Sequence, residues 1–250
     1  MRVLVLGGAS EASALATLLA ARSDIEAIMS FAGRTRAPVA PPIPLRIGGF
    51  GGADGLAAYL AAERIDVLVD ATHPFAEQIS RNARTAAARS NIPLIILSRP
   101  AWARETGDRW IEVPDMASAV GALGDKSRRV FLAIGRLQLA AFEAAQQHFY
   151  LIRSIDPVAP AFQHCRVIAA RGPFDADAEE RLLRDEMIDV IVAKNSGSPA
   201  VFGKILAARR LRLPVIMVER PYDALNASHD PAEALDLILR HGARPALRGV

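Results

Sequence analysis

The stretch Met-Arg-Val-Leu-Val-Leu-Gly-Gly-Ala-Ser-Glu-Ala-Ser, residues 1–13, joins an apolar run, two glycines and a helix-compatible segment. Val3–Leu6 is rich in branched residues, which predicts a buried parallel strand. Gly7 and Gly8 allow a tight turn, and Ser10 is predicted to cap the helix that follows. Free N–H groups and the dipole at a helix N-terminus both favour an anion. The stretch therefore predicts a nucleotide phosphate site.

The glycine pattern alone leaves a second interpretation open. The dinucleotide fingerprint G-x-G-x-x-G is incomplete, because its last glycine position is not matched. A glycine turn in an α/β protein that binds nothing has the same features. The choice depends on the rest of the chain.

Composition excludes several classes of protein. The chain has 250 residues, of which 51% are apolar, enough for a large domain or two ordinary ones. No apolar run reaches the roughly 18 residues that span a bilayer, and no signal-peptide pattern is found. Cys165 is the only cysteine, which excludes an intrachain disulfide and a multi-cysteine metal site. We therefore expect a cytoplasmic protein without a membrane segment.

The basic charge is carried mainly by arginine. The net charge is +3, and lysine occurs only at Lys126, Lys194 and Lys204. Arginine favours bidentate binding of carboxylate or phosphate, which suits an anionic small molecule. The excess is too weak and dispersed to indicate nucleic acid. The histidines form no close pair in the sequence, so we expect no metal site.

Alternating strand-like and helix-like segments predict an α/β fold with parallel sheets. The predicted strands are Val3–Leu6, Ile25–Ser30, Leu45–Ile47, Asp66–Asp70, Pro93–Leu97, Trp110–Val113, Val130–Ile134, Tyr150–Ile155, Val167–Ala170, Asp189–Ala193 and Pro214–Val218. The predicted helices are Glu11–Arg22, Asp54–Arg64, Phe75–Ser90, Met116–Leu123, Gln138–Ala145, Asp177–Glu186, Pro199–Arg210 and Pro231–Arg240.

The two halves of the sequence resemble each other. Ile65–Val69 resembles Ile188–Val192, and Ile92–Pro100 resembles Leu213–Pro221. We therefore predict two similar lobes, residues 1–124 and 125–250. Short matches also arise by chance among α/β proteins, so duplication is one interpretation of the pattern.

Ligands of open parallel sheets bind beyond the carboxyl ends of the strands. Four segments are predicted to lie there in the first lobe: Gly7–Gly8, Ser30–Arg36, Gly48–Gly52 and Asp70–Phe75. NAD sites usually have an acidic residue after the second strand, where this chain has Ser30, Arg34 and Arg36. A guanidinium there suits a 2′-phosphate and favours NADP over NAD. The alternative is that both arginines are solvated loop charges.

Aromatic and polar side chains accompany these segments. Phe50, among four glycines, is predicted to cover a ring or phosphate, or else to pack into the core. Thr72 and His73 are placed to face a nicotinamide, and His73 to move a proton. A lone histidine is more often a hydrogen-bonded structural residue.

The second lobe has basic residues at predicted strand ends. Lys194–Gly197 follows a buried strand, so Lys194 brings a charge to the cleft, although Asn195 or Ser196 is equally suited to cap a helix. Three arginines are predicted to bind substrate carboxylates, although each alone is typical of a surface: Arg136, Arg171 and Arg220.

Six motifs, in order along almost the whole chain, resemble the precorrin-6A reductase family of cobalamin biosynthesis. They are Gly7–Ala12, Ser30–Arg34, Gly48–Gly52, Asp70–Ala76, Arg171–Phe174 and Lys194–Gly197. Asp-Ala-Thr-His-Pro-Phe-Ala and Lys-Asn-Ser-Gly are the specific ones. The family often has threonine at the position of Ala9 and glycine at that of Ser198, so single contacts differ.

The resemblance implies NADPH-dependent reduction of one double bond of the precorrin-6A macrocycle, giving precorrin-6B. It implies two Rossmann-like or flavodoxin-like lobes, with cofactor and substrate in the cleft between them. The residues carried over to the cofactor are Gly7, Gly8, Ala9, Ser10 and Glu11 for the pyrophosphate, Ser30 and Arg34 for the 2′-phosphate, and Gly49, Phe50, Gly51, Thr72, His73, Lys194, Asn195, Ser196 and Gly197 for the remainder. The substrate is a tetrapyrrole-derived polycarboxylate, and we expect a monomer.

The hydride chemistry belongs to the cofactor, so the protein orients two rings and excludes water. His73 and Lys194 are the candidates for supplying a proton, with water as the alternative. Three other functions stay open at this point. They are reduction of a cobalt-containing substrate, ligand binding or nucleotide sensing without catalysis, and sugar-nucleotide transfer, which would need neither NADPH nor Arg34.

Overall fold

Two sheets, parallel throughout, organise this computed structural model, which describes residues 1–33, 39–155, 157–221 and 227–242. The strands are β1 Arg2–Gly7, β2 Glu26–Phe31, β3 Leu45–Ile47, β4 Val67–Ala71, β5 Leu94–Ile96, β6 Arg109–Val113, β7 Arg129–Ala133, β8 Phe149–Ser154, β9 Cys165–Ala169, β10 Val190–Lys194 and β11 Pro214–Val218. The helices are α1 Ser10–Ala20, α2 Gly52–Ala62, α3 Glu77–Ser90, α4 Met116–Leu123, α5 Ala176–Asp185, α6 Gly203–Leu211 and α7 Pro231–Gly242. Each predicted strand is present within a few residues of its predicted bounds, which confirms the α/β prediction.

The chain forms two compact units. Met1–Pro100 and the segment after Pro221 make the first, and Ala101–Pro221 makes the second. The described strands of the first unit have the order β3-β2-β1-β4-β5. Read from β9, those of the second unit have the order β9-β8-β7-β10-β11, followed by β6. The two units therefore share one strand order, as the similarity between the two halves of the sequence suggests.

Both faces of the first sheet are covered by helices. On one face, Val3 and Val5 of β1 pack in a buried cluster with side chains of α1 and α7. On the other face, Leu4 and Leu6 pack with side chains of α2 and α3. Alternate residues of a strand point to opposite faces, so burial on both explains why β1 is a continuous apolar run. In the second sheet, side chains of β7 and β10 pack in one buried cluster with side chains of α5 and α6.

The same polar contact ties the central strands together in both units. The Asp66 carboxylate accepts the backbone N–H of Arg2 at 2.7 Å, and the carbonyl of Arg2 accepts the N–H of Asp66 at 2.8 Å. Asp189 and Arg129 repeat these two hydrogen bonds at 2.7 and 2.8 Å. The matching Ile-Asp-Val segments therefore have the same local role, which is to join the amino ends of two neighbouring strands.

The structure corrects the predicted domain boundary at Gly124. β6 and α4 belong to the second unit, because β6 pairs with β11 along its whole length. α7 belongs to the first unit, where it packs against α1, and Ser228 before it pairs with Leu97 beyond β5. The chain thus leaves the first unit after Pro100 and returns to it after Pro221. In each unit, the fifth strand of the shared order is flanked by a segment that lies outside that order. This segment is Ser228 beside β5 in the first unit and β6 beside β11 in the second.

Two predicted helices of the second unit are also corrected. The segment predicted as a helix over Gln138–Ala145 is a 3-10 helix over Arg136–Ala144. Its buried side chains Leu139 and Phe142 are three residues apart, which fits a helix with three residues per turn. The predicted helix Pro199–Arg210 is a short 3-10 turn, Pro199–Val201, followed by α6.

Gly55 and Gly121 are both helical glycines, and replacing each with alanine tests the packing in opposite directions. A Cβ at Gly55 would lie 1.7 Å from the carbonyl oxygen of Phe50, whereas a Cβ at Gly121 would have no atom within 4 Å apart from its chain neighbours and its own helix backbone. Gly121→Ala is expected to raise the free energy of unfolding by about 0.5–1 kcal/mol. Gly55→Ala is expected to lower it by about 1–3 kcal/mol, because the overlap outweighs the gain in helix propensity. Urea denaturation of both variants measures the difference, and a stabilised Gly55→Ala variant would contradict the packing described here.

Candidate functional site

The first sheet brings its predicted site residues to one edge. All its strands are parallel, so the loops after β3, β2, β1, β4 and β5 follow one another along the carboxyl edge. Gly8 lies close to the loop after β4, since a Cβ built on it would be 3.4 Å from the backbone nitrogen of His73. The prediction that these segments line one edge is confirmed for the described residues.

The turn after β1 leads into α1 without a side-chain cap. Ala9 is the N-cap residue, and among the described residues no side chain accepts the first N–H groups of α1. The prediction that Ser10 caps this helix is wrong, because its hydroxyl instead donates to the Glu11 carboxylate at 3.2 Å. Arg99, buried after β5, lies 3.4 Å from the Ser10 hydroxyl and 3.3 Å from the Glu11 carboxylate. The N–H of Ala12 donates to the carbonyl of Ala9 at 3.2 Å, so within the described residues the amides of Ser10 and Glu11 are the uncapped ones, with a guanidinium beside them.

Polar side chains form a row at the carboxyl end of the first sheet. The strand register pairs Leu6 with both Ser30 and Asp70, and pairs Ser30 with Arg46. These side chains share the face that α2 and α3 cover. Ser30 is 4% exposed and Asp70 is 3% exposed. The predicted phosphate ligand Arg34 lies outside the described residues, as does Arg36.

Arg46 connects this row to the glycine loop. Its guanidinium donates to the carbonyls of Gly48 at 2.5 Å and Gly49 at 2.9 Å, and lies 3.4 Å from the Ser30 hydroxyl. The loop contains three glycines with positive φ, at Gly48, Gly51 and Gly52. Other residues rarely adopt that conformation, which explains the glycine content.

Phe50 packs at the border of the core. Its ring lies edge-on to Tyr59 at 5.2 Å and half-buried beneath the guanidinium of Arg46, 3.9 Å away. The alternative that Phe50 packs against the core is therefore the one that the contacts favour. Its backbone still borders the edge, because the N–H of Gly51 and Gly52 follow at the start of α2.

Thr72 and His73 are held by the loop after β4. The buried Asp70 carboxylate accepts the Thr72 hydroxyl at 2.6 Å and its N–H at 3.2 Å. The Nδ1 atom of His73 accepts the N–H of Phe75 at 3.2 Å, so the ring carries its hydrogen on Nε2.

The second sheet collects three of its four predicted basic residues on neighbouring strand ends. Arg220 follows β11, Lys194 ends β10, and Arg136 follows β7, and these strands are adjacent. Arg171 follows β9 and is separated from the others by β8. Arg136 and Arg171 are exposed, whereas Lys194 is half-buried. Burial lowers the pKa of Lys194 to about 8.

Arg220 and Asn195 hold the loop after β10 in place. The guanidinium of Arg220 donates to the carbonyls of Asn195 at 3.1 Å and Ser196 at 3.2 Å. The side-chain amide of Asn195 accepts the N–H of Trp102 at 2.7 Å and donates to its carbonyl at 3.0 Å. Gly197 completes the loop with a φ of +73°. The predicted alternative of a helix-capping turn does not hold, since Phe202 is the N-cap residue of α6.

A buried charged cluster lies in the second unit. Arg153 forms a two-pronged ion pair with Glu179, and its guanidinium stacks 3.6 Å from the ring centre of Phe174. Lys204 is 3% exposed, and its Nζ donates to the carbonyl of Val201 at 2.5 Å. Burial and the charge of Arg153 lower the pKa of Lys204 to about 7, against an opposing effect of Glu179.

Over residues 1–33, 39–155, 157–221 and 227–242, no three His, Cys, Asp or Glu side chains are grouped to hold a metal ion. No helix in the same part of the chain has the length and apolarity to cross a membrane.

The comparison with known families decides the assignment. The profile of the family described as precorrin-6x reductase CbiJ/CobK matches residues 2–239. The chain belongs to this family. It is 55% identical over 221 residues to a precorrin-6A reductase of Sinorhizobium sp., covering 88% of this chain and 85% of that protein. A solved structure of CobK precorrin-6A reductase is 47% identical, with a TM-score of 0.90 and 100% of both chains covered.

A relative named for a cobalt-containing substrate is less similar to this chain. A cobalt-precorrin-6A reductase of Priestia megaterium is 28% identical over 232 residues, with 88% of this chain and 90% of that protein covered. The resemblance read from the six sequence motifs and the α/β fold that it implies are both confirmed.

Sequence reasoning missed the side chains that brace the edges. Arg46, Arg99 and the Arg153–Glu179 pair were not predicted as site residues, although the three arginines each lie at or near a strand end. Arg46 precedes the glycine loop by two residues, and this proximity is the one local signal in the sequence. Arg99 and Arg220 occupy the same place in the two matching segments, directly before a proline.

Lys204→Met tests the cost of the buried lysine. The unfolded chain holds the lysine proton up to its ordinary pKa of 10.5, whereas the folded protein releases it near pH 7. The group therefore destabilises the fold most at or below pH 7, and stability rises with pH between about 7 and 10.5. The gain in melting temperature of Lys204→Met over the parent is expected to be larger at about pH 6.5 than at about pH 9.5. Lys126→Met, which removes an exposed lysine of the same unit, is the control, and an equal gain at both pH values would refute the assignment.

Proposed function

We propose that this protein reduces one double bond of precorrin-6A with NADPH to give precorrin-6B in cobalamin biosynthesis. Membership of the precorrin-6x reductase family, with 55% identity to a precorrin-6A reductase over most of both chains, carries the proposal. NADPH supplies the hydride when bound. The protein's residues bind and orient the two rings, exclude water and supply a proton.

The edge of the first sheet fits a dinucleotide pyrophosphate. Gly7 and Gly8 bring the backbone close to the edge, and a Cβ on Gly7 would meet Met29 at 2.5 Å and Phe31 at 2.7 Å. The amides that open α1 have no side-chain cap among the described residues, so they can bind phosphate oxygens together with the helix dipole. Arg99 offsets the negative charge of Glu11 beside them. This arrangement supports cofactor binding at Gly7–Glu11.

We assign the adenosine end of the cofactor, with its 2′-phosphate, to the row of polar side chains beside β2. Ser30 offers a hydroxyl at the end of β2, and no acidic residue stands between Ser30 and Arg36 to hold an unphosphorylated ribose. Arg34 is retained here as a proposed 2′-phosphate ligand on the strength of the resemblance. Gly49, Phe50, Gly51, Thr72, His73 and Lys194–Gly197 are retained as proposed neighbours of the remainder of the cofactor.

The basic residues of the second unit suit a substrate with many carboxylates. Lys194 and Arg136 lie at adjacent strand ends and are proposed to meet the substrate, with Arg171 farther along the same edge. Arg220 contributes in a different way, because two of its hydrogen bonds hold the carbonyls of the loop that bears Lys194. We propose it as a residue that positions that loop.

Lys194 is the better of the two proton-donor candidates. Its Nζ has a pKa of about 8, so the group carries its proton at neutral pH and releases that proton more readily than an ordinary lysine does. The Nδ1 atom of His73 accepts the N–H of Phe75, so that nitrogen is engaged in holding its own loop. The cytoplasmic location and monomeric state stay predictions.

Cofactor preference is the first test. Titration of the purified protein with NADPH and NADH is expected to show a preference for NADPH of about tenfold or more, equivalent to about 1.4 kcal/mol. Arg34→Ala is expected to weaken NADPH much more than NADH, because only NADPH carries the 2′-phosphate. An equal loss for both would refute the role of Arg34. Binding of neither cofactor would favour the non-catalytic or transferase alternatives.

The pH dependence of turnover tests Lys194. A donor must be protonated, so kcat is expected to fall as the pH rises through about 8, the pKa of Lys194. Lys194→Met should lower kcat and abolish that fall. Lys194→Arg keeps the charge but not a transferable proton, so it should restore KM without restoring kcat. If Lys194→Arg has the parent kcat, the residue binds substrate and does not donate.

The cobalt-containing substrate of the anaerobic route is the second candidate. One relative named cobalt-precorrin-6A reductase is 28% identical, against 55% for one named precorrin-6A reductase, and this difference supports precorrin-6A as the substrate. Assays of the same preparation with both substrates separate the two, and a higher kcat/KM for the cobalt form would reverse the order.

A further inference from the structure

The side chain of Arg46 makes contacts that its position in a short edge strand does not require. It lies in β3, a strand of three residues, and its side chain reaches three structures at once: the end of β2, the glycine loop and α2. A solvated strand-end arginine would leave its donors to water. Here the guanidinium donates to two loop carbonyls and packs over the rings of Phe50 and Tyr59.

The register places the charge of Arg46 next to Ser30. The two residues are direct partners between β2 and β3, so their side chains leave the sheet on the same face. The guanidinium Nη1 is 3.4 Å from the Ser30 hydroxyl, and Ser30 is buried. An anion that accepts a hydrogen bond from the Ser30 hydroxyl would therefore be in reach of a guanidinium fixed in one orientation.

The carbonyl contacts also orient the loop. Two consecutive carbonyls, those of Gly48 and Gly49, point toward Arg46 and are held by it. The glycines of this loop have no side chains to order it, and three of them take a positive φ. Arg46 therefore holds this glycine-rich loop in one conformation at the edge where the adenosine end of the cofactor is proposed to bind.

We propose that Arg46 is a positioning and specificity residue that selects NADPH over NADH. It fixes the Gly48–Phe50 loop and presents a permanent positive charge beside Ser30 to the 2′-phosphate. The inference rests on the proposed use of NADPH and adds a residue on β3 to the ligands expected after β2. An ion pair between a guanidinium and a phosphate is charge-assisted, so its loss falls on NADPH alone.

The test compares the affinities of NADPH and NADH in matched variants. R46Q keeps hydrogen-bond donors for the loop carbonyls but removes the charge, and the ratio of the two affinities is expected to fall about tenfold. R46K keeps the charge, and its ratio is expected to stay within about threefold of the parent. R22Q removes a charge from an exposed arginine paired with Asp24, before the amino end of β2, and should leave the ratio unchanged.

A merely structural role would lower both affinities together and leave their ratio intact. A ratio in R46Q equal to that of the parent therefore overturns the proposal, as does an equal loss of ratio in R46Q and R46K. Thermal melting checks folding, and R46M, which keeps apolar contact with Phe50 and Tyr59, replaces R46Q if that variant does not fold. A parent protein without preference for NADPH would refute both this inference and the proposed cofactor, whereas a preference that survives R46Q refutes only the inference.

Discussion

The register between the central strands is the constraint on which both units depend. A slip of one residue would turn every side chain of a strand to the opposite face. Asp66 and Asp189 oppose such a slip, because each carboxylate accepts one particular N–H of the neighbouring strand. With that pairing in place, Ser30, Arg46 and Asp70 form one row, and the loops that follow the strands meet at one edge.

Local patterns in the sequence were sufficient to predict most of the fold. Branched apolar runs such as Val3–Leu6 predicted the strands, and the parallel arrangement then determined which loops share an edge. The same reasoning brought Gly8 next to His73, although 64 residues lie between them. Family motifs added the assignment itself, because the glycine turn alone was compatible with a site that binds nothing.

What the sequence could not predict depends on contacts between distant segments. β6 belongs to the second unit and α7 to the first because of pairings between distant segments. The similarity between the two halves of the sequence did not indicate either pairing. Asn195 holds its loop by hydrogen bonds to the backbone of Trp102, which is far away in the sequence. Arg99 contacts Ser10 and Glu11, which are also distant from it along the chain. The 3-10 helix after β7 was mistaken for an α-helix because both place apolar residues three apart.

The return of the chain to the first unit after Pro221 imposes an order on synthesis. The ribosome completes every strand and helix of the second unit before it makes α7. Until α7 emerges, the face of the first sheet that it covers, with Val3 and Val5, lacks part of its packing. Domains generally fold as units during translation, N-terminal units first. In this chain the N-terminal unit is the one that must wait, so its nascent form is the species most in need of protection from aggregation.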